Sequence, residues 1–103
     1  MIVQVANCYL QKGSFDRVLD LLKEWESGHL SKIRGFRELK VFRREDDPHG
    51  VSCHITFDSA EALDEFSSAQ ATHDTFAKVQ DYVDFGLEYY ELREHAGSGT
   101  SAG

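Results

Sequence analysis

Hydrophobic and polar positions alternate along this chain in a way that predicts its elements one after another. Residues 2–10, IVQVANCYL, are rich in β-branched and aromatic side chains and predict a strand. Both parities carry apolar groups: Ile2, Ala6, Cys8 and Leu10 on one, Val3, Val5 and Tyr9 on the other. A strand buried on both faces reads this way. After Gly13, the residues Val18, Leu21, Leu22, Trp25 and His29 recur at helical spacing, a single stripe facing a core. Ser14 is the predicted N-cap, Gly28 weakens the helix end, and Gly35 marks the turn that follows. Residues 36–44 alternate as a second strand, with Phe36 and Phe42 on one parity and charges in the gaps. The segment EDDPHG (45–50) is a turn by chemistry. It makes a hairpin with a third strand, 51–57, whose Val51, Cys53, Ile55 and Phe57 share one face and Ser52, His54 and Thr56 the other.

Asp58 with Glu61 reads as a capping box that opens a helix from 59 to about 67, with Ala62, Leu63 and Phe66 inward. Ser67, Ser68 and Ala69 break it. A second helix, about 72 to 82, carries Phe76, Val79, Tyr82 and Val83. Residues 83–93 then alternate again, Val83, Phe85, Leu87 and Tyr89 against Gly86, Tyr90 and Leu92, and form a fourth strand. This order predicts an α+β, ferredoxin-like βαββαβ fold: an antiparallel sheet of spatial order 4-1-3-2 with helices on one face. The domain spans 1–94, and the tail 95–103 is expected to be disordered. Strands 1 and 4 are apolar on both parities, so a bare sheet face is costly. A homodimer through the sheet face is the expected remedy.

Length and charge narrow the classes of partner. The 103 residues fit one domain. A net charge of -7 repels phosphate backbones and anionic lipid, so neither nucleic acid nor membrane is expected as a partner. No apolar run approaches the ~20 residues that span a bilayer. The N-terminal segment lacks the basic start and cleavage site of a signal peptide, so a cytoplasmic location is expected. Cys8 and Cys53 are too few for a disulfide scaffold and fall in no metal-ligand spacing. They sit on neighbouring antiparallel strands, so a regulatory disulfide and a pair of reduced buried thiols both stay open.

Several residues could carry chemistry. Asn7 puts an amide in mid-strand, and a buried amide needs partners, whether ligand or backbone. His73, near the start of the last helix, is a base for a phenol or a first-turn surface histidine. Trp25, Phe57, Phe66 and Phe76 either line an aromatic pocket or pack as core. Tyr9, Tyr82, Tyr89 and Tyr90 can donate hydrogen bonds, and Tyr89 and Tyr90 point to opposite faces. Ser52, His54 and Thr56 form a polar row. There is no GxGxxG, P-loop or HExxH pattern, so no nucleotide or metal site and no cofactor is expected.

The segments RGFRELKVFRR (34–44), ITFDSAEALDEF (55–66) and ATHDTF (71–76), in this order of elements, resemble the antibiotic-biosynthesis-monooxygenase-like family of the dimeric α+β barrel superfamily, over about residues 1–93. Phe57 stands where that family often has Trp, and Ala71-Thr72 replaces its Thr-Pro before the histidine. The resemblance implies a small-molecule oxygenase or oxidoreductase, cofactor-independent, acting on an electron-rich aromatic or quinol-like ligand. It implies Asn7 as hydrogen-bonding anchor and His73 as base, with Tyr9, Trp25, Phe57, Phe66 and Phe76 around the substrate. Other members bind and degrade haem, but the spacing from Phe66 to His73 is shorter than that branch uses. Still others isomerise or cyclise. A non-catalytic ligand-binding or structural dimer is the alternative of a different class. The base-plus-anchor mechanism requires Asn7 and His73 to share one cavity.

Overall fold

The computed structural model describes residues 1–97. Four strands, β1 (Ile2–Leu10), β2 (Phe36–Arg43), β3 (Gly50–Phe57) and β4 (Val83–Arg93), alternate with three helices, α1 (Phe15–Gly28), α2 (Ala60–Ser68) and α3 (Gln70–Gln80). A short 3-10 turn, Leu30–Lys32, which the sequence pattern did not signal, leads from α1 towards β2. All pairings are antiparallel and the sheet runs β2-β3-β1-β4, the order the sequence predicts. The predicted tail 95–103 falls mostly on residues 98–103, outside the described residues.

The helices cover one face. There Ile2, Leu10, Ile55 and Phe57 of the sheet meet Val18, Leu22 and Trp25 of α1 and Leu63 and Phe66 of α2 in one buried cluster. Burial of side chains of this kind contributes roughly 1.5–3 kcal/mol each. The β1 parity of Ile2, Gln4, Ala6, Cys8 and Leu10 faces the helices. The parity of Val3, Val5, Asn7 and Tyr9 faces away from them, onto a bare surface shared with Ser52, His54 and Tyr90 through the pairs Asn7–Ser52, Val5–His54 and Val5–Tyr90.

Two helix starts differ from expectation. Ser14 precedes α1 but lies in the helical region (φ -94, ψ -9) and its side chain caps nothing; an N-cap hydroxyl reaches the free N–H groups from extended backbone. At α2 the cap is Ser59, one residue beyond Asp58. Its backbone is extended (φ -149, ψ 162), and its Oγ accepts from Ala62 N at 3.2 Å. Asp58 is engaged elsewhere, accepting from Arg37 Nη1 at 2.7 Å.

Strand parity is interrupted in β2 and β4. Phe36 pairs with Phe57 and Glu38 with Thr56, so Arg37 is an extra residue and Phe36 faces the helices while Phe42 faces away. In β4, Asn7 pairs with Glu88, Tyr9 with Phe85 and Leu10 with Val83, which leaves extra residues on either side of Phe85. Phe85 alone is turned out, stacked on Tyr9 with ring centroids 4.5 Å apart, while Leu87 and Tyr89 face inward. Gly86 makes the second bulge possible: its φ is +75, and a Cβ there would lie 3.0 Å from Tyr9 Cδ1.

Candidate functional site

Between the sheet and helices α1 and α3 lies a narrow apolar slot of about 50 Å³, lined by Cys8, Leu22, Val51, Cys53, Val79 and Leu87. It shares Phe76 and Tyr89 with a second, wider cavity of about 260 Å³ that opens outward past Gln4, Phe66, Thr72 and His73. Phe76 and Tyr89 stack with centroids 5.3 Å apart and rings 15° from parallel, and so form a wall common to both spaces. Behind them Trp25 meets Phe76 edge-on at 5.6 Å and Phe66 at 5.6 Å, while Phe57 meets Phe66 at 5.1 Å. Trp25 and Phe57 are buried core that supports this wall. Of the four aromatics singled out in the sequence, only Phe66 and Phe76 border these two spaces.

The slot carries both thiols. Cys53 pairs across from Ala6 and Cys8 from Val51, so the two sulfurs are diagonal neighbours on one face, and both are free. Burial, and secondarily the nearby Cys8, pushes the Cys53 thiol from 9.0 to about 12, and burial raises Cys8 as well. Both stay protonated near neutrality, which makes them weak nucleophiles.

His73 stands exposed at the mouth, in the first turn of α3. Beside it are two residues that the sequence reading did not select. Gln4 is only 9% exposed, and Thr72 is 2% exposed with no hydrogen-bond partner for its Oγ1. A buried polar group left unpaired costs about 1–3 kcal/mol. Gln4 had a signal: it is the one polar residue on an otherwise apolar parity of β1. Thr72 had none.

Asn7 and Tyr9 lie on the opposite, bare face. The Asn7 amide is fully engaged there. Its Nδ2 donates to Glu88 Oε1 at 3.1 Å and Tyr90 OH at 3.3 Å, and its Oδ1 accepts from Ser52 Oγ at 2.6 Å. A carboxylate only accepts, so Glu88 fixes the amide's orientation. The proton of Ser52 goes to Asn7, so the contact of 2.9 Å between Ser52 and His54 is a donation from His54 Nε2. Tyr9 accepts from Arg44 Nη1 at 2.7 Å; Arg44 is held in turn by two bonds to Asp46, which keep that carboxyl below its usual range. The structure therefore does not bring Asn7 and His73 into one cavity. Base and anchor as read from the sequence are separated by the sheet, and the cavity amide on the side of His73 is Gln4. Among the described residues no group of three His, Cys, Asp or Glu is arranged to hold a metal, and no helix is long and apolar enough to cross a membrane.

Comparison with solved structures returns the same architecture. A conserved protein of Methanosarcina mazei Go1 superposes with a TM-score of 0.80 at 17% identity, covering 91% of this chain and 92% of that one. An antibiotic biosynthesis monooxygenase gives 0.75 at 14% identity, covering 93% of this chain and 100% of its own. A protein of Mycobacterium tuberculosis gives 0.78 at 14% identity over 95% and 98% of the two chains. These identities establish the fold alone. No curated protein matches the sequence. The family model described as antibiotic biosynthesis monooxygenase matches residues 1–78, from β1 through most of α3, and the chain belongs to that family.

Proposed function

We propose that the protein is an oxygenase or oxidoreductase of the type its family name describes, acting on a hydroxylated aromatic or quinol held in the helix-facing cavity and drawing electrons from that substrate rather than from a cofactor. The observation that carries this reading is the adjacency of an apolar slot and a polar mouth that share the Phe76–Tyr89 wall, with His73 at the opening. A flat ring fits between apolar side chains, and its hydroxyl meets the polar end. A neutral imidazole can take the phenolic proton, and the resulting anion is electron-rich enough to reduce dioxygen. A hydroquinone then loses two electrons and two protons, and dioxygen receives them as hydrogen peroxide. The raised thiol pKa values of Cys8 and Cys53 suit such a slot, because a quinone adds to thiolates.

Haem does not fit the same cavity: its lining contains Glu91 and neither lysine nor arginine to receive propionates. A second reading, a ligand-binding module without catalysis, is favoured by one observation: His73 is exposed, and no side-chain hydrogen bond among the described residues fixes its ring. Oxygen uptake with dihydroxynaphthalenes, corrected for autoxidation, separates the two. Catalysis is expected to fall by about 10²–10⁴-fold in His73→Ala and to change little in Asn7→Ala, which lies across the sheet. Uptake equal to the uncatalysed background with every substrate, alongside saturable binding, would leave the binding module.

The bare sheet face is proposed to pair with a second copy of the chain. Phe85 and Leu92 are 59% and 50% exposed there, and Phe42 and Tyr90 are exposed with them. Light scattering after size exclusion is expected to return twice the 11.7 kDa chain mass; a monomer at micromolar concentration would end this part of the reading.

A further inference from the structure

The cavity mouth holds an amide whose two ends are used unequally. Gln4 lies in the middle of β1, facing the helices, nine-tenths buried. Its Nε2 donates to Val5 O at 3.4 Å and to Tyr90 O at 3.3 Å. Carbonyl oxygens only accept, so these contacts set the orientation of the amide and place Oε1 at its other end. Among the described residues no group donates to that oxygen. Thr72, on the same cavity, has a buried hydroxyl without a partner. A buried unpaired hydroxyl and an amide oxygen to which none of the described groups donates thus border one space that also contains His73 and Tyr89. The penalty for a buried polar group without hydrogen bonds falls on the Thr72 hydroxyl, while Gln4 Oε1 is left facing the cavity.

We infer that Gln4 is the specificity-determining residue of this pocket, a carbonyl acceptor that selects neutral ligands carrying a free hydroxyl over their O-methyl ethers. A phenolic O–H donates to Oε1, and the Thr72 hydroxyl can donate a second bond to the same phenol oxygen. An ether oxygen has no proton to offer and leaves Oε1 unpaired, the circumstance in which a site built for a hydroxyl rejects its analogue most strongly. Glu91 on the rim and the overall charge of -7 disfavour carboxylate ligands of similar shape. The inference rests on the reading of this pocket as a site for small aromatics, and it requires no turnover.

The test is calorimetric titration under anaerobic conditions, which prevents oxidation, using 1,4-dihydroxynaphthalene and 1,4-dimethoxynaphthalene. The native protein is expected to bind the diol at least about tenfold more tightly than the diether. In Gln4→Met, which keeps the length of the side chain and removes the acceptor, the diol weakens to the level of the diether and the ratio falls to about one. Circular dichroism checks the fold. If that variant does not fold, Gln4→Asn, whose carbonyl is withdrawn by one methylene, is expected to lose most of the preference. A native protein that binds both ligands equally, or a folded Gln4 variant that retains the preference, overturns the role of Gln4 and leaves the pocket. Failure of both ligands to bind overturns pocket and role together. Preference for the diol without oxygen consumption upholds Gln4 and removes only the oxygenase.

Discussion

Cys53 offers a direct reading of its surroundings. Its folded-state thiol ionises near pH 12, whereas an unconstrained thiol does so near 9.0. Below the lower value both folded and unfolded states are protonated, and the thiol gives no pH dependence. Above it the unfolded chain releases the proton and the folded chain keeps it, so stability is lost as pH rises from about 9 to about 12. The slope is at most about 1.4 kcal/mol per pH unit from this group. Denaturation curves across that range should show it, and Cys53→Ala should remove it. At Gly35 the constraint is steric. Its φ is +95, and an added Cβ would lie 2.9 Å from Ala62 Cβ, where the start of β2 passes over α2. Gly35→Ala is expected to cost about 1–3 kcal/mol in chemical denaturation. Individual residues were unevenly legible in the sequence. The amide of Gln4 was passed over, but that Asn7 needed partners was evident. Which of them faced the cavity was not, because β1 is apolar on both parities and the pattern alone does not say which side the helices cover.

At the scale of elements, the boundaries of β1 and β4 coincide with the apolar runs that predict them, β1 largely covered and β4 largely exposed. Helix starts were harder, because Asp58 and Ser59 are both good caps and only the tertiary partner Arg37 decides between them. Ser59→Ala is therefore expected to destabilise by about 0.5–2 kcal/mol. Asp58→Ala should change the melting temperature little, as its ion pair is solvent-exposed. A larger effect of Asp58→Ala than of Ser59→Ala would mean that the cap is the one the capping-box pattern suggests. The bulges at Arg37 and beside Phe85 left no periodic trace, because a single added residue looks like ordinary alternation resumed on the other face.

For the whole molecule, the helix-covered face and the bare face divide the work. One borders the cavity in which a ligand is proposed to sit. The other presents exposed aromatic and aliphatic groups around the network of Asn7, Ser52, His54 and Glu88, and is where a second copy is proposed to sit. Phe85→Asp, on the bare face and remote from His73, is expected to shift the assembly to monomer in light scattering. If a monomeric Phe85→Asp still binds a dihydroxynaphthalene, the cavity is complete within one chain. If binding is lost while the fold persists, the partner closes the site. The order of the sheet was legible from element order and connection rules alone, because those rules leave few topologies. The division of labour between the faces was not, since it depends on how the bulges turn Phe85 and Phe36.

Those bulges also make the chain unequally tolerant of deletions. Opposite the single residue Cys8, β4 has two, Gly86 and Leu87, between the pairs Asn7–Glu88 and Tyr9–Phe85. Removing Gly86 would let Leu87 alone face Cys8 and would leave Phe85 outward and Tyr89 inward, as they are now. Removing Glu88 instead would let Leu87 take its place opposite Asn7 and turn outward, with Gly86 alone facing Cys8 and with Tyr89 and Tyr90 keeping their faces. Two deletions of equal length, two residues apart, thus draw on the same surplus residue, and they differ in that the first keeps Leu87 in the apolar slot while the second empties its place.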